Sequence, residues 1–177
     1  MVSHLISCLH PFDAIEEQHI HETLLWLQSG APIYRIQRPD IPPKHLVVYC
    51  VLLDEEKKKI LLVDHKKAQL WLPAGGHVEP DEDPSETVKR ECLEELGIEV
   101  EFWKESPLFL TSTVTGGLTP GHIDVTLWYV LKAKEEYLFS FDKREFEVIE
   151  WFNFEGIPYE RSDPHMKRFM SKLKGVL

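Results

Sequence analysis

Residues 76–98 read GHVEPDEDPSETVKRECLEELGI, and this stretch decides the reading of the whole chain. Asp83 is a good N-cap, Pro84 suits the first helical position, and Glu86 stands three residues after the cap as in a capping box. Gly97 supplies the stop, in the left-handed conformation that glycine tolerates. The expected helix runs from Pro84 to Leu96, fed by a loop from Gly75 to Glu82. Within it Glu91, Glu94 and Glu95 share one side, next to an apolar stripe of Val88, Cys92 and Leu96. Like charges at this spacing repel, and no lysine lies inside the trio. A hard divalent cation would relieve them, because Mg²⁺ binds carboxylate oxygens, water and substrate phosphate.

The stretch resembles the Nudix box, G-x5-E-x7-R-E-U-x-E-E-x-G-U, where U is a bulky aliphatic residue. Gly76, Glu82, Arg90, Glu91, Glu94, Glu95, Gly97 and Ile98 fill it with the right spacing, and Cys92 occupies an aliphatic slot. The resemblance covers about residues 45–173. It implies an α/β fold, a Nudix-type α/β/α sandwich with a mixed β-sheet, and hydrolysis of a nucleoside diphosphate linked to another moiety.

Composition sets the outer bounds. The chain has 177 residues, enough for one domain with a proper core. Its formal net charge of −10 argues against nucleic acid polymers as partners, which need a basic surface. Cys8, Cys50 and Cys92 show no C-x-x-C spacing, so neither zinc nor a disulfide framework is expected, and Cys50 and Cys92 read as core thiols. Without a long apolar run or a basic leader, the expected location is cytoplasmic, with no membrane partner.

Residues 1–10 carry no clear signal. Asp13 and Glu16 open a second capping box, and Ile20, Leu24 and Leu27 keep helical spacing up to Ser29-Gly30. His4, His10, His19 and His21 read as surface histidines. The Pro-rich segment 31–43 reads as a linker or wrapping arm, and its basic residues Arg35, Arg38 and the following Lys44 are candidates to reach a substrate. Residues 1–44 are thus expected to form an N-terminal helical extension and linker, and residues 45–177 the Nudix domain. Strands are expected at 45–53, 59–64, 70–73, 99–103, 108–114, 122–133 and 147–154, with a flexible loop at 115–121. Asp163-Pro164 caps a final helix to about Leu173.

What the resemblance implies for the site follows position by position. Glu94 and Glu95 resemble the principal ligands of Mg²⁺ or Mn²⁺, and Glu91 a ligand or water-orienting group. The Gly76 carbonyl resembles a backbone ligand, and Arg90 the residue that holds a glutamate of the trio. Glu82 reads as structural or as a phosphate-side helper. Lys66 and Lys67, at the end of the second strand, are candidates for substrate phosphate, and Glu145 and Glu147 for a distal base. Tyr49, Trp71, Trp128 and Trp151 either stack on a base or belong to the core.

Several subfamily markers are missing. The position of Val114 carries neither the proline typical of ADP-ribose hydrolases nor the tyrosine of diadenosine polyphosphate hydrolases. The signatures of NADH and coenzyme A hydrolases are absent as well. By elimination, and from the strand His122–Tyr129, the chain is similar to MutT-like (deoxy)nucleoside triphosphate pyrophosphohydrolases. A nucleotide sugar or dinucleotide as substrate, a non-catalytic nucleotide-binding domain, and an isomerase using Cys50 and the N-terminal histidines remain as alternatives. The partner is a small nucleotide, and a homodimer is one candidate assembly.

Overall fold

In the computed structural model, residues 2–37, 41–116, 118 and 121–177 are described. Arg38 and residues 117, 119 and 120 of the expected loop lie outside them. Eight strands form one mixed sheet. Strand β1 (Lys44–Asp54) lies parallel to β7 (Ile123–Lys132), in register from Lys44↔Ile123 to Leu53↔Lys132. One edge of β1 is shared by two antiparallel partners. Near its end it pairs with β2 (Lys59–His65), and earlier with β4 (Ala74–His77). Strand β2 extends the sheet through β3 (Leu70–Leu72) and β8 (Phe146–Asn153), and β7 extends it through β5 (Glu101–Phe102) and β6 (Phe109–Val114).

Strand β1 is a near-continuous apolar run because both of its faces are covered. Leu46, Val48, Cys50 and Leu52 share one core with Ile6 of α1 (Val2–Ser7) and with Val88, Cys92 and Leu96 of α3 (Pro84–Leu96). Val51 and Leu53 share a second core with Trp128 of β7 and with Phe169, Met170 and Leu173 of α4 (Met166–Val176). Trp128 is completely buried, stacks on Phe169 at 4.7 Å and donates its indole N–H to Thr111. This is the expected α/β sandwich around a mixed sheet.

Several local expectations change. The stretch Ala74-Gly75-Gly76, read as loop, is strand β4. Gly75 has φ +152°, and a Cβ there would lie 2.0 Å from the Val48 carbonyl oxygen, so glycine is what lets β4 close against β1. Residues 2–7, which carry no sequence signal, form a helix that buries Val2 and Ile6. One and a half turns are too short to show a period. Helix α3 keeps its expected bounds, with Asp83 accepting from Ser85 N and Gly97 at φ 68°. Glu86 pairs with Lys89 instead of closing the capping box.

Helix α2 (Ala14–Gln28) is tied across the β6 edge to α4 through Glu16. The Glu16 carboxylate is fully buried, and it accepts from Phe12 N, Leu110 N and Lys172 Nζ. Lys172 also donates to the His10 carbonyl. Nearby, Arg168 pairs with Asp13. His19 is half-buried and accepts from Ser112 N, so it is not the surface histidine expected.

Two predictions follow from this junction. Lys172→Met leaves Glu16 buried and unpaired, and we expect a loss of about 3–5 kcal/mol in urea unfolding. Arg168 holds Asp13 down at about 2 from its ordinary 3.8. A depressed carboxylate stabilises above its unfolded pKa, and that stability is lost as pH falls through the folded one. Asp13→Asn keeps a capping oxygen. Its Tm should therefore lie below wild type at neutral pH and converge with it as pH falls from about 4 to about 2. A constant gap would contradict the linkage.

Candidate active site

The backbone of β4 carries the site on two sides. Gly76 faces α3, where a Cβ would sit 2.2 Å from Glu91 Oε1, so the Glu91 carboxylate occupies the space a side chain would take. Gly75 N donates to Glu95 Oε2 at 2.9 Å. Glu91 and Glu95 are both buried, whereas Glu94 is exposed on the next turn. All three line one cavity of about 1260 Å³.

Arg90 is the brace of this corner. Its Nε and Nη2 engage both oxygens of Glu82 at 2.9 and 3.0 Å, Nη1 reaches Glu91 at 2.7 Å, and Nη2 also donates to the His77 carbonyl at 3.1 Å. This charge-assisted set ties the loop before α3, the helix and β4 together. Arg90 holds Glu82 down at about 2. Glu95 goes the other way. Burial, then the neighbouring Glu91, push its carboxyl up to about 8. Burial also raises Glu91, against the pull of Arg90. Two crowded carboxyls that resist ionisation, beside an exposed third, make an all-oxygen donor set that a hard divalent cation fits.

Glu145 and Asp142 stand on the same cavity wall, and both oppose ionisation of Glu95. Asp142 N donates to the Glu95 carbonyl at the end of α3, which fixes this loop against the trio. Lys67 lines the cavity and lies 3.6 Å from Glu145. Arg35 lines it too, while Lys44 turns onto the ring of Trp26.

Other expected site residues lie elsewhere. Lys66 donates to the Lys143 carbonyl and pairs with the exposed Glu147, and neither lines the cavity. Glu82 is not on the cavity wall either. Arg90, Thr87 and Glu79 N occupy its two oxygens, so it holds the arginine in place. Of the four candidate stacking aromatics, Tyr49 alone is on the wall. Its hydroxyl lies 3.4 Å from Asp163, whose carboxyl burial raises to about 6. Trp128 is core, Trp151 packs against the α3-side core, and Trp71 packs on Phe152. Cys50 is buried on the α3 face and does not line the cavity, which removes the nucleophile of the isomerase reading. Asp142, Asp163, His77 and Asp124 were missed as wall residues, because no local spacing marks them.

A sequence profile described as NUDIX domain matches residues 43–173. The chain belongs to this family. Human nucleoside diphosphate-linked moiety X motif 6, a curated relative, is 29% identical over 137 residues, covering 75% of this chain and 40% of that protein. The chain therefore spans well under half the length of that relative. Among solved structures, a NUDIX-family hydrolase from Clostridium perfringens aligns with a TM-score of 0.58 at 23% identity, covering 75% of this chain and 98% of that one. A MutT NUDIX hydrolase from Burkholderia pseudomallei aligns at 0.61 and 21% identity, covering 72% and 96%. At these identities the structures support the fold. No helix among the described residues is long and apolar enough to cross a membrane.

The two glycines should respond differently to alanine. Gly75→Ala meets backbone atoms, so we expect at least about 2 kcal/mol lost in chemical denaturation. Gly76→Ala meets the Glu91 side chain, which must leave its bond to Arg90. A crystal structure of that variant should show Glu91 displaced.

Proposed function

We propose that this Nudix protein hydrolyses the pyrophosphate bond of a nucleoside diphosphate linked to a further moiety, with a (deoxy)nucleoside triphosphate as the preferred class. The observation that carries the reading is the convergence of Glu91, Glu94 and Glu95 on one large cavity that Lys67 and Arg35 also line. A protein of net charge −10 needs local positive charge to hold a polyphosphate.

Glu91, Glu94, Glu95 and the Gly76 carbonyl are the residues that would hold Mg²⁺ or Mn²⁺. When bound, such an ion supplies charge neutralisation at phosphorus and a more acidic water. The chain's own groups do the rest. Arg90 keeps Glu91 in place, Lys67 and Arg35 attract and orient the phosphates, and Glu145 takes the proton of the attacking water. Such a reaction needs mainly positioning and electrostatic stabilisation. The human relative is named for a nucleoside diphosphate-linked moiety, in keeping with this class.

The test is a product-resolved screen of nucleoside triphosphates, nucleotide sugars and dinucleoside polyphosphates with Mg²⁺ or Mn²⁺. Monophosphate plus pyrophosphate from a triphosphate is the expected result. Cleavage of a sugar or dinucleotide instead would move the substrate class. Glu94→Gln should lower kcat by at least about 100-fold with the fold retained. Glu145→Gln should lower kcat, Lys67→Ala should raise KM, and Glu147→Gln should leave both unchanged. Nucleotide binding without turnover in wild type would sink the hydrolase reading and favour a binding domain.

A further inference from the structure

On the α4-side face of the sheet, the register places His45 beside Asp124, and Val47 beside both His77 and Thr126. His122 immediately precedes β7. His45 Nε2 lies 3.0 Å from Asp124 Oδ1 and 3.0 Å from His77 Nε2, and His122 Nε2 lies 3.4 Å from the same carboxylate oxygen. One ligand atom each from His45, His122 and Asp124 fall within 4.8 Å of one another. We infer that His45, His122, Asp124 and His77 form a second metal site, for a borderline transition-metal ion of the Zn²⁺ class, distinct from the glutamate trio.

The chemistry of His45 carries the argument. Its Nδ1 lies 3.0 Å from the Pro42 carbonyl, which can only accept, so Nδ1 bears a proton. In the neutral ring the Nε2 lone pair then points into a space already occupied by a carboxylate oxygen and another imidazole nitrogen. Asp124 Oδ1 is sealed from solvent and has no hydrogen bond of good geometry. One carboxylate oxygen and ring nitrogens of three imidazoles crowd together here, a donor set that a cation fits. The outer contacts match a ligating set. The other ring nitrogen of a metal-bound histidine is commonly held by a carbonyl or similar partner. Pro42 fills that role for His45, and the Thr115 hydroxyl, 2.9 Å from Nδ1, fills it for His122.

The spacing fits as well. Tetrahedral Zn²⁺ with bonds of about 2.0–2.1 Å places its ligands roughly 3.3 Å apart. The separations of 3.0, 3.0 and 3.4 Å lie within a few tenths of an ångström of that value, and a bound ion would draw together the ligand atoms of His45, His122 and Asp124, which lie within 4.8 Å of one another. Imidazole nitrogens favour Zn²⁺ over Mg²⁺, so this donor set and the all-oxygen trio select different ions. A four-coordinate ion here would staple β1, β4 and β7 at the floor of the cavity, where His77, His122 and Asp124 reach its wall.

The experiment is a Co²⁺ titration of chelator-stripped protein, followed by visible absorption, with Zn²⁺ competition and thermal unfolding in parallel. We expect one tight site with the intense bands of four-coordinate Co²⁺, displaced by Zn²⁺ and not by Mg²⁺, and a Tm raised by Zn²⁺. Glutamine at all three of Glu91, Glu94 and Glu95 should leave the bands unchanged. His122→Gln and the isosteric Asp124→Asn, each checked for folding by circular dichroism, should weaken binding by at least about 100-fold, beyond the loss typical of an outer-shell partner. No bands in wild type would overturn the inference in favour of a doubly protonated His45 against Asp124. Bands lost in the glutamine variant would place the metal at the trio, and bands surviving both His122→Gln and Asp124→Asn would place it elsewhere. All readouts are made without substrate, so they stand apart from the proposed hydrolysis.

Discussion

The parallel pairing of β1 with β7 is the constraint on which the molecule depends. Parallel strands need a crossover connection, and here almost seventy residues of chain separate them. That crossover contains β2, β3, β4, α3, β5 and β6, so pairing β1 with β7 encloses the glutamate trio, Gly76, Arg90 and Lys67. The same pairing buries β1 on both faces, which explains its unbroken apolar sequence. It also brings His45 to Asp124 and Tyr49 to Trp128, residues about eighty positions apart in the chain.

The site is built at a break in that order. Strand β1 pairs with β2 at one end and with β4 at the other, so its edge divides and a cavity opens between the two. Glycines at 75 and 76 let β4 approach both β1 and α3 within distances no Cβ would permit. Arg90 holds the corner by binding Glu82, Glu91 and the β4 carbonyl at His77 together. Crowded carboxylates are unfavourable in isolation. They persist because one guanidinium offsets part of the repulsion and burial shifts the rest into raised carboxyl pKa values.

Acid groups of the two ends of the cavity meet different fates. Near α3, Glu91, Glu94 and Glu95 offer oxygen donors only, beside the carboxylates of Asp142 and Glu145. At the far end, His45 and His122 flank the Asp124 carboxylate, and His77 meets His45. Hard and borderline cations discriminate between such sets by ligand type and geometry. One cavity can therefore present two chemically separate environments on the two faces of the same strand, because adjacent residues of β4 point to opposite sides.

The sequence by itself determined the family, the bounds of α3 and its cap, the order of most strands, and the glutamate trio. These are local quantities: a cap, a stop and a helical period lie within one short stretch. The tertiary structure alone decided which basic and acidic residues reach the cavity. Lys66 and Lys67 are neighbours in sequence, yet Lys67 lines it and Lys66 does not; Glu145 lines it and Glu147 does not. Glu82 could be placed in the motif but not oriented, since its role depends on where Arg90 turns. The conversion of a glycine run into strand β4, the Glu16–Lys172 tie and the histidine cluster depend on register and packing between distant segments. Spacing along a chain cannot encode such contacts, because they are set by which strands pair and in what alignment.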